Sequence, residues 1–213
     1  MENKLFNKVF LWMAIGLLVT FITAWFVSTN EVMYMNLFSG KKYLLFIILE
    51  FIAVIYLSVR VMKMQPSTAR CVFLLYSVLS GLTFSSIFIY YELSSIIYIF
   101  LLSSLFFGIL SLIGYFTKKD MTKLGRVCII GLIIAIITAI VNIFIGNSML
   151  NLLLSIIILT LFIGITIYDV QKIKRLQNSG LPLENLAIYG ALDLYLDFIN
   201  IFIHLLQLFG RQK

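Results

Sequence analysis

The chain has 213 residues; 62% are hydrophobic, 12% are charged, the mean hydropathy is +1.08 and the net charge is +7. A soluble domain is roughly 45–50% apolar and about 25% charged, and a fold of this size could not bury the excess. That excludes a secreted module, a disordered chain and a soluble nucleic-acid-binding domain, and leaves an integral membrane protein.

Uncharged stretches mark the spans, since a crossing helix needs about 20 apolar residues. Residues 9–30 carry no charge, and the first span reads as 6–27. A second span follows at 43–61, with Glu50 inside it, a third at 71–91 and a fourth at 94–116. Val127 to Tyr168 is 42 residues without a charge, long enough for two spans, 127–146 and 149–170, with the turn at Gly146-Asn147-Ser148. A seventh span runs over 186–209. Period-two alternation is absent and backbone polar groups must be satisfied within lipid, so the runs are helices. The expected fold is all-α: residues 1–213 form one seven-helix membrane domain.

The 16 basic residues lie between the apolar runs, as topology requires and unlike a nucleic-acid surface. Lys4, Lys8, Arg60, Lys63, Arg70, Lys118, Lys119, Lys123, Arg126, Lys172, Lys174 and Arg175 fall on one side, Lys41, Lys42, Arg211 and Lys213 on the other. The first group is the larger, which places the N-terminus in the cytoplasm and, after seven spans, the C-terminus outside. Cys71 and Cys128 each open an apolar run with no metal-ligand spacing and read as two buried thiols.

Chemistry concentrates in the few ionisable groups within the apolar runs: Glu50, Asp169, Asp193, Asp197 and His204. An acid near a helix centre costs about 2.5–3.5 kcal/mol to insert and marks a functional site by default. In the seventh span Asp193, Asp197, Asn200, His204 and Gln207 recur at steps of 4, 3, 4 and 3, which puts them on one helical face. Such a stripe lines a cavity or faces another polar helix. Asp169, near the end of the sixth span, falls at similar depth. Two carboxylates in low dielectric share a proton, pair with Arg or Lys, or bind a cation such as Ca²⁺. Asp169, Asp193 and Asp197 are therefore the candidate Ca²⁺ ligands. Glu50, Asn200 and His204 are further candidates along an ion path, and Arg60 is a snorkelling residue or an ion-pair latch on the acids. Ser77, Ser80, Thr83 and Ser104 read as helix-packing hydroxyls, and Gly108 and Gly164 as points of close helix contact.

Enzyme signatures are missing. There is no lysine in the seventh span for a Schiff base, no G-x-S-x-G, no phosphate-binding loop, and a single histidine. Asp169 and Asp197 resemble the paired acids of presenilin-type proteases, but Leu194-Tyr195-Leu196-Asp197 stands where a G-x-G-D motif belongs.

The run Ala191-Leu192-Asp193-Leu194-Tyr195-Leu196-Asp197-Phe198-Ile199-Asn200-Ile201-Phe202, continued by Leu205-Leu206-Gln207-Leu208-Phe209-Gly210, resembles the closing-helix signature of the Bax inhibitor-1 (transmembrane Bax-inhibitor-motif) family. Tyr168-Asp169-Val170-Gln171-Lys172-Ile173 is similar to its sixth-helix motif, Lys118 to Gly125 to its loop between helices four and five, and Ser80-Gly81-Leu82-Thr83 to its third helix. The resemblance implies a bundle with the seventh helix central. It also implies a pH-sensitive Ca²⁺ leak in which Asp169 and Asp197 are sensor and gate and Arg60 a latch. The short loops look bacterial, which makes the plasma membrane the expected location. Ca²⁺, protons and the lipid bilayer are the expected partners, with no resident cofactor and no nucleic acid. A cation/proton exchanger using the same acids and a non-transporting regulatory binding protein are the alternatives.

Overall fold

A computed structural model describes residues 2–38 and 42–213; Lys41, one of the basic residues weighed for topology, lies outside them. Eight α-helices follow in order: α1 (Glu2–Thr29), α2 (Glu31–Phe38), α3 (Lys42–Arg60), α4 (Pro66–Tyr90), α5 (Leu93–Phe116), α6 (Thr122–Ile145), α7 (Ser148–Leu176) and α8 (Leu183–Phe209). All but α2 are long and apolar enough to cross a membrane, seven among the described residues. The all-α polytopic fold is therefore as expected. α2 is an addition: Asn30 interrupts α1, its side chain accepts the Met33 N–H at 3.0 Å, and Glu31 occupies the first turn.

Local chemistry sets the breaks. Pro66 opens α4 at a position that needs no N–H donor. Gly146 closes α6 in the left-handed region with φ 71°, where a side chain would be strained. The turn sits where Gly146-Asn147-Ser148 places it. The Asn142 amide secures it by donating to Asn147 O at 2.9 Å and to Asn151 Oδ1 at 2.6 Å.

The chain divides into two compact units that share α8: residues up to Glu92 with Leu176–Tyr195 and the last two residues, and Leu93–Arg175 with Leu196–Arg211. In the first unit α1 and α4 approach closely at Gly16 and Gly81, where an added Cβ would meet Phe73 and Thr23. Tyr195 is fully buried, edge-on to Phe73 and Tyr76, with its hydroxyl 2.7 Å from Thr20 Oγ1. Glu184, in the first turn of α8, accepts from Lys8 of α1 and Arg70 of α4, and the Asn185 amide donates to Val61 O at 2.6 Å and Met64 O at 2.8 Å. The final residues return to the end of α4, with Lys213 N–H on Tyr90 O at 3.0 Å, so the C-terminus lies on the same side as residues 90–92. That agrees with an odd number of spans.

In the second unit Phe198 meets Phe100 and Phe107 edge-on, and Gly114, Gly125, Gly131 and Gly164 bring backbones together. Gly164 lies against Cys128, as its reading as a close contact requires. Gly108 does not behave that way, because a Cβ there would meet open space. Cys128 is buried, but Cys71 is exposed and so is not the buried thiol expected of it. Exposed Leu, Ile and Phe side chains cover the outer faces of α3 and α6, the surface a bilayer would solvate. α8 is buried over most of its length.

Candidate functional site: buried carboxylates among the helices

Within the second unit, Asp169 of α7 and Asp197 of α8 are both buried, at 8% and 2% exposure. α7 and α8 face each other, since Ser155 Oγ donates to Gln207 Oε1 at 2.7 Å, joining the start of one helix to the end of the other. From that contact Asp169 lies fourteen residues along α7 and Asp197 ten residues back along α8. At about 1.5 Å rise per residue the two positions agree in depth to about 6 Å, roughly one helical turn.

Asp169 has a cation at hand: Lys172 Nζ donates to its Oδ1 at 2.8 Å from one turn further along α7. The same ammonium stands 5.6 Å from the Tyr168 ring centre. In the sequence Lys172 reads only as a topology residue, although its spacing of three residues from Asp169 is legible. Tyr168 packs flat over Gly125 of α6, where a Cβ would strike the ring.

The remaining stripe positions divide. Asn200 is half-buried and donates back to Leu196 O at 2.7 Å, as a polar side chain in a helix does when it satisfies itself locally. His204 is half-buried, 3.1 Å from Gln207 Oε1. Gln207 is exposed yet carries the bond to Ser155. Asp193 is half-buried and belongs to the stretch of α8 that forms part of the first unit. Among the described residues no three His, Cys, Asp or Glu side chains group as metal ligands.

Glu50, on α3 in the first unit, is half-buried and accepts from two hydroxyls of α4, Ser80 Oγ at 2.6 Å and Thr83 Oγ1 at 2.9 Å. Ser80 and Thr83 thus do more than pack. Their spacing of three residues places both on the face turned to Glu50. Ser104 conforms to the packing reading, bonding only to Phe100 O of its own helix, at 2.8 Å. Arg60 ends α3 with an exposed side chain.

Below Asp169, Gln171 is buried and fixes the loop between α5 and α6. Its Nε2 donates to Thr117 O at 3.1 Å and Lys119 O at 2.8 Å, and its Oε1 accepts the Met121 N–H at 2.9 Å and an Arg175 N–H. Arg175 also reaches Asp120 Oδ1 at 2.5 Å and Thr122 Oγ1 at 2.8 Å. The Thr122 hydroxyl, the Thr122 backbone N–H and the Arg175 guanidinium hold the Asp120 carboxyl well below the usual carboxylate range. Gln171 falls within the Tyr168-Asp169-Val170-Gln171-Lys172-Ile173 motif, but nothing in that motif announces its role, because its partners are loop carbonyls about fifty residues away in the chain.

The sequence matches known proteins along nearly its whole length. The family model described as inhibitor of apoptosis-promoting Bax1 matches residues 2–213. A Borreliella burgdorferi protein described only as uncharacterized is 39% identical over 217 residues, covering 100% of this chain and 94% of its own. The Escherichia coli K12 inner membrane protein YbhL is 36% identical over 212 residues, covering 97% and 91%. An uncharacterized membrane protein of Streptococcus pyogenes serotype M1 is 39% identical over 166 residues, covering 77% and 72%. Seven apolar helices, acids buried between them and a family match that leaves out only the first residue make this chain a multi-pass membrane protein of the Bax inhibitor-1 family.

Proposed function

We propose that the protein is a pH-sensitive leak for Ca²⁺, gated by Asp169 and Asp197. The observation that carries this reading is the burial of two carboxylates at matching depth on facing helices of one unit. Two such groups in low dielectric do not both stay charged without a cation. Lys172 lets Asp169 be ionised while a proton resides at Asp197. Loss of that proton leaves a second negative charge, which a divalent oxygen-seeking cation such as Ca²⁺ compensates better than one ammonium. Proton and Ca²⁺ then compete for the same oxygens, which makes conductance depend on pH. Asn200 and His204 are the further polar positions of the same unit available to an ion, and Asp193 and Glu50 those of the first unit. Arg60, exposed at the end of α3, suits a phosphate headgroup, and Arg60→Ala is expected to leave the leak rate unchanged. The basic loops favour an N-terminus in the cytoplasm.

The test is Ca²⁺ entry into proteoliposomes carrying an internal dye, from pH 5 to 8, with and without a proton gradient. A leak gives downhill, pH-dependent entry that an imposed gradient does not drive uphill. Uphill Ca²⁺ movement would make the protein an exchanger. Entry no faster than into empty liposomes at every pH would refute transport altogether.

A further inference from the structure

In the first unit α2, α3 and α4 line an open cavity of about 450 Å³. Its walls include four aromatic rings, Tyr34 and Phe38 from α2, Phe46 from α3 and Tyr90 from α4, and two hydroxyls, Thr83 and Ser86. Tyr34 and Phe38 stack with ring centres 4.5 Å apart. Burial, and then the neighbouring Tyr90, push the Tyr34 phenol above its ordinary pKa.

Thr83 belongs to two environments. It lines the cavity, and its Oγ1 hydroxyl donates to Glu50 Oε2 at 2.9 Å. Glu50 lies one helical turn beyond Phe46 and Ile47 on the same face of α3. Both of its oxygens are held by hydroxyls, and among the described residues no Lys, Arg or His forms an ion pair with it. A carboxyl group within a spanning helix with no counter-charge among the described residues either keeps its proton or is ionised against a cation from outside the chain. The single Thr83 proton lies between two acceptors, Glu50 Oε2 and Ser80 O, both at 2.9 Å, and an oxygen that donates in this way keeps lone pairs that can face a positive group.

The chemistry of the walls narrows the ligand. Ca²⁺ and Mg²⁺ want six or more oxygens, and aromatic rings offer few. Ring faces attract large, weakly hydrated cations, as in the cages that recognise quaternary ammonium groups. We propose that this cavity binds a lipophilic organic cation, with the rings of Tyr34, Phe38, Phe46 and Tyr90 against its apolar body and Glu50 supplying the opposite charge through Thr83. The site is separate from the aspartate pair and stands whether or not Ca²⁺ leaks through the protein.

The probe is tetraphenylphosphonium, measured by equilibrium dialysis against the purified protein in neutral detergent. Tetraphenylborate, of the same shape and opposite charge, is the control. Saturable binding of one phosphonium per chain is expected. Glu50→Gln should weaken it about tenfold or more, as loss of a nearby charge in a partly desolvated site requires. Tyr34→Ala, which leaves the Glu50 hydrogen bonds intact, should weaken it too, and Ser86→Leu should block it by filling the cavity. Absence of saturable phosphonium binding would overturn the proposal, as would equal binding by a folded Glu50→Gln. Tetraphenylborate displacing phosphonium with equal affinity would also overturn it and make the cavity an apolar lipid groove. If Glu50→Gln does not fold, undiminished binding by both Tyr34→Ala and Ser86→Leu would have the same force.

Discussion

Replacing Gln171 by Ala should loosen the end of the molecule beneath Asp169 without touching an acid. The substitution deletes two hydrogen bonds to loop carbonyls, at 2.8 and 3.1 Å, and one from the Met121 N–H, at 2.9 Å. Each is worth about 0.5–1.5 kcal/mol net, so about 3 kcal/mol is at stake. Water can reach the exposed Lys119 and re-satisfy its carbonyl, which brings the expected loss to about 1.5–3 kcal/mol. Arg175 keeps Asp120 and Thr122 as partners, so the loop should loosen but not detach. The assay is thermal unfolding in detergent together with amide exchange across residues 117–122. The Met121 amide should exchange much faster in the variant, and the melting temperature should fall. Gln171→Glu sharpens the comparison, since it keeps an acceptor for Met121 but sets a carboxylate against two carbonyl oxygens. It should be no more stable than Gln171→Ala. Unchanged melting and unchanged Met121 exchange in Gln171→Ala would show that the loop is held by other means and refute the reasoning.

Three further outcomes are expected. Asp197→Asn keeps volume and removes a titratable charge, so the purified variant should melt normally while Ca²⁺ entry becomes lost or independent of pH; an unchanged pH profile would remove Asp197 from the gate. Asp120, with its lowered pKa, contributes stability that is complete above about pH 4 and is lost only as pH falls further through its folded value. Asp120→Asn should therefore lower the melting temperature equally at pH 5 and pH 8, and leave the pH profile of Ca²⁺ entry as it was. Gly125→Ala drives a methyl into the Tyr168 ring and should cost about 1–3 kcal/mol in thermal unfolding. Adding Tyr168→Ala should relieve part of that loss, so purely additive effects would contradict the contact.

The spans were legible because charge is so expensive in lipid that its absence over 20 residues has one reading. The break at Gly146 was legible because only glycine takes that backbone conformation without strain. α2 could have been read from Asn30 followed by Glu31, a cap and an acidic first turn, but its eight residues fall between the spans 6–27 and 43–61 and are too few to mark a crossing. The acids were legible one by one. Their partners were only partly so: Lys172 stands three residues from Asp169, whereas Ser80 and Thr83 reach Glu50 from thirty and thirty-three residues away. Exposure followed the same rule. Composition says that Cys71 is apolar enough to be buried, but which face of α4 it occupies is decided by Gly16 and Gly81, the points at which α1 and α4 close upon each other.

Each unit draws a piece from α8, which is synthesised after the seven helices before it. Until Tyr195 arrives, Thr20 lacks that hydroxyl partner, and until Glu184 arrives, Lys8 and Arg70 face each other's helices with no acid between them. Neither unit can mature before α8 is made, however early its other helices insert. One step therefore supplies both units, and truncation anywhere before α8 should yield not a smaller working protein but a substrate for membrane quality control.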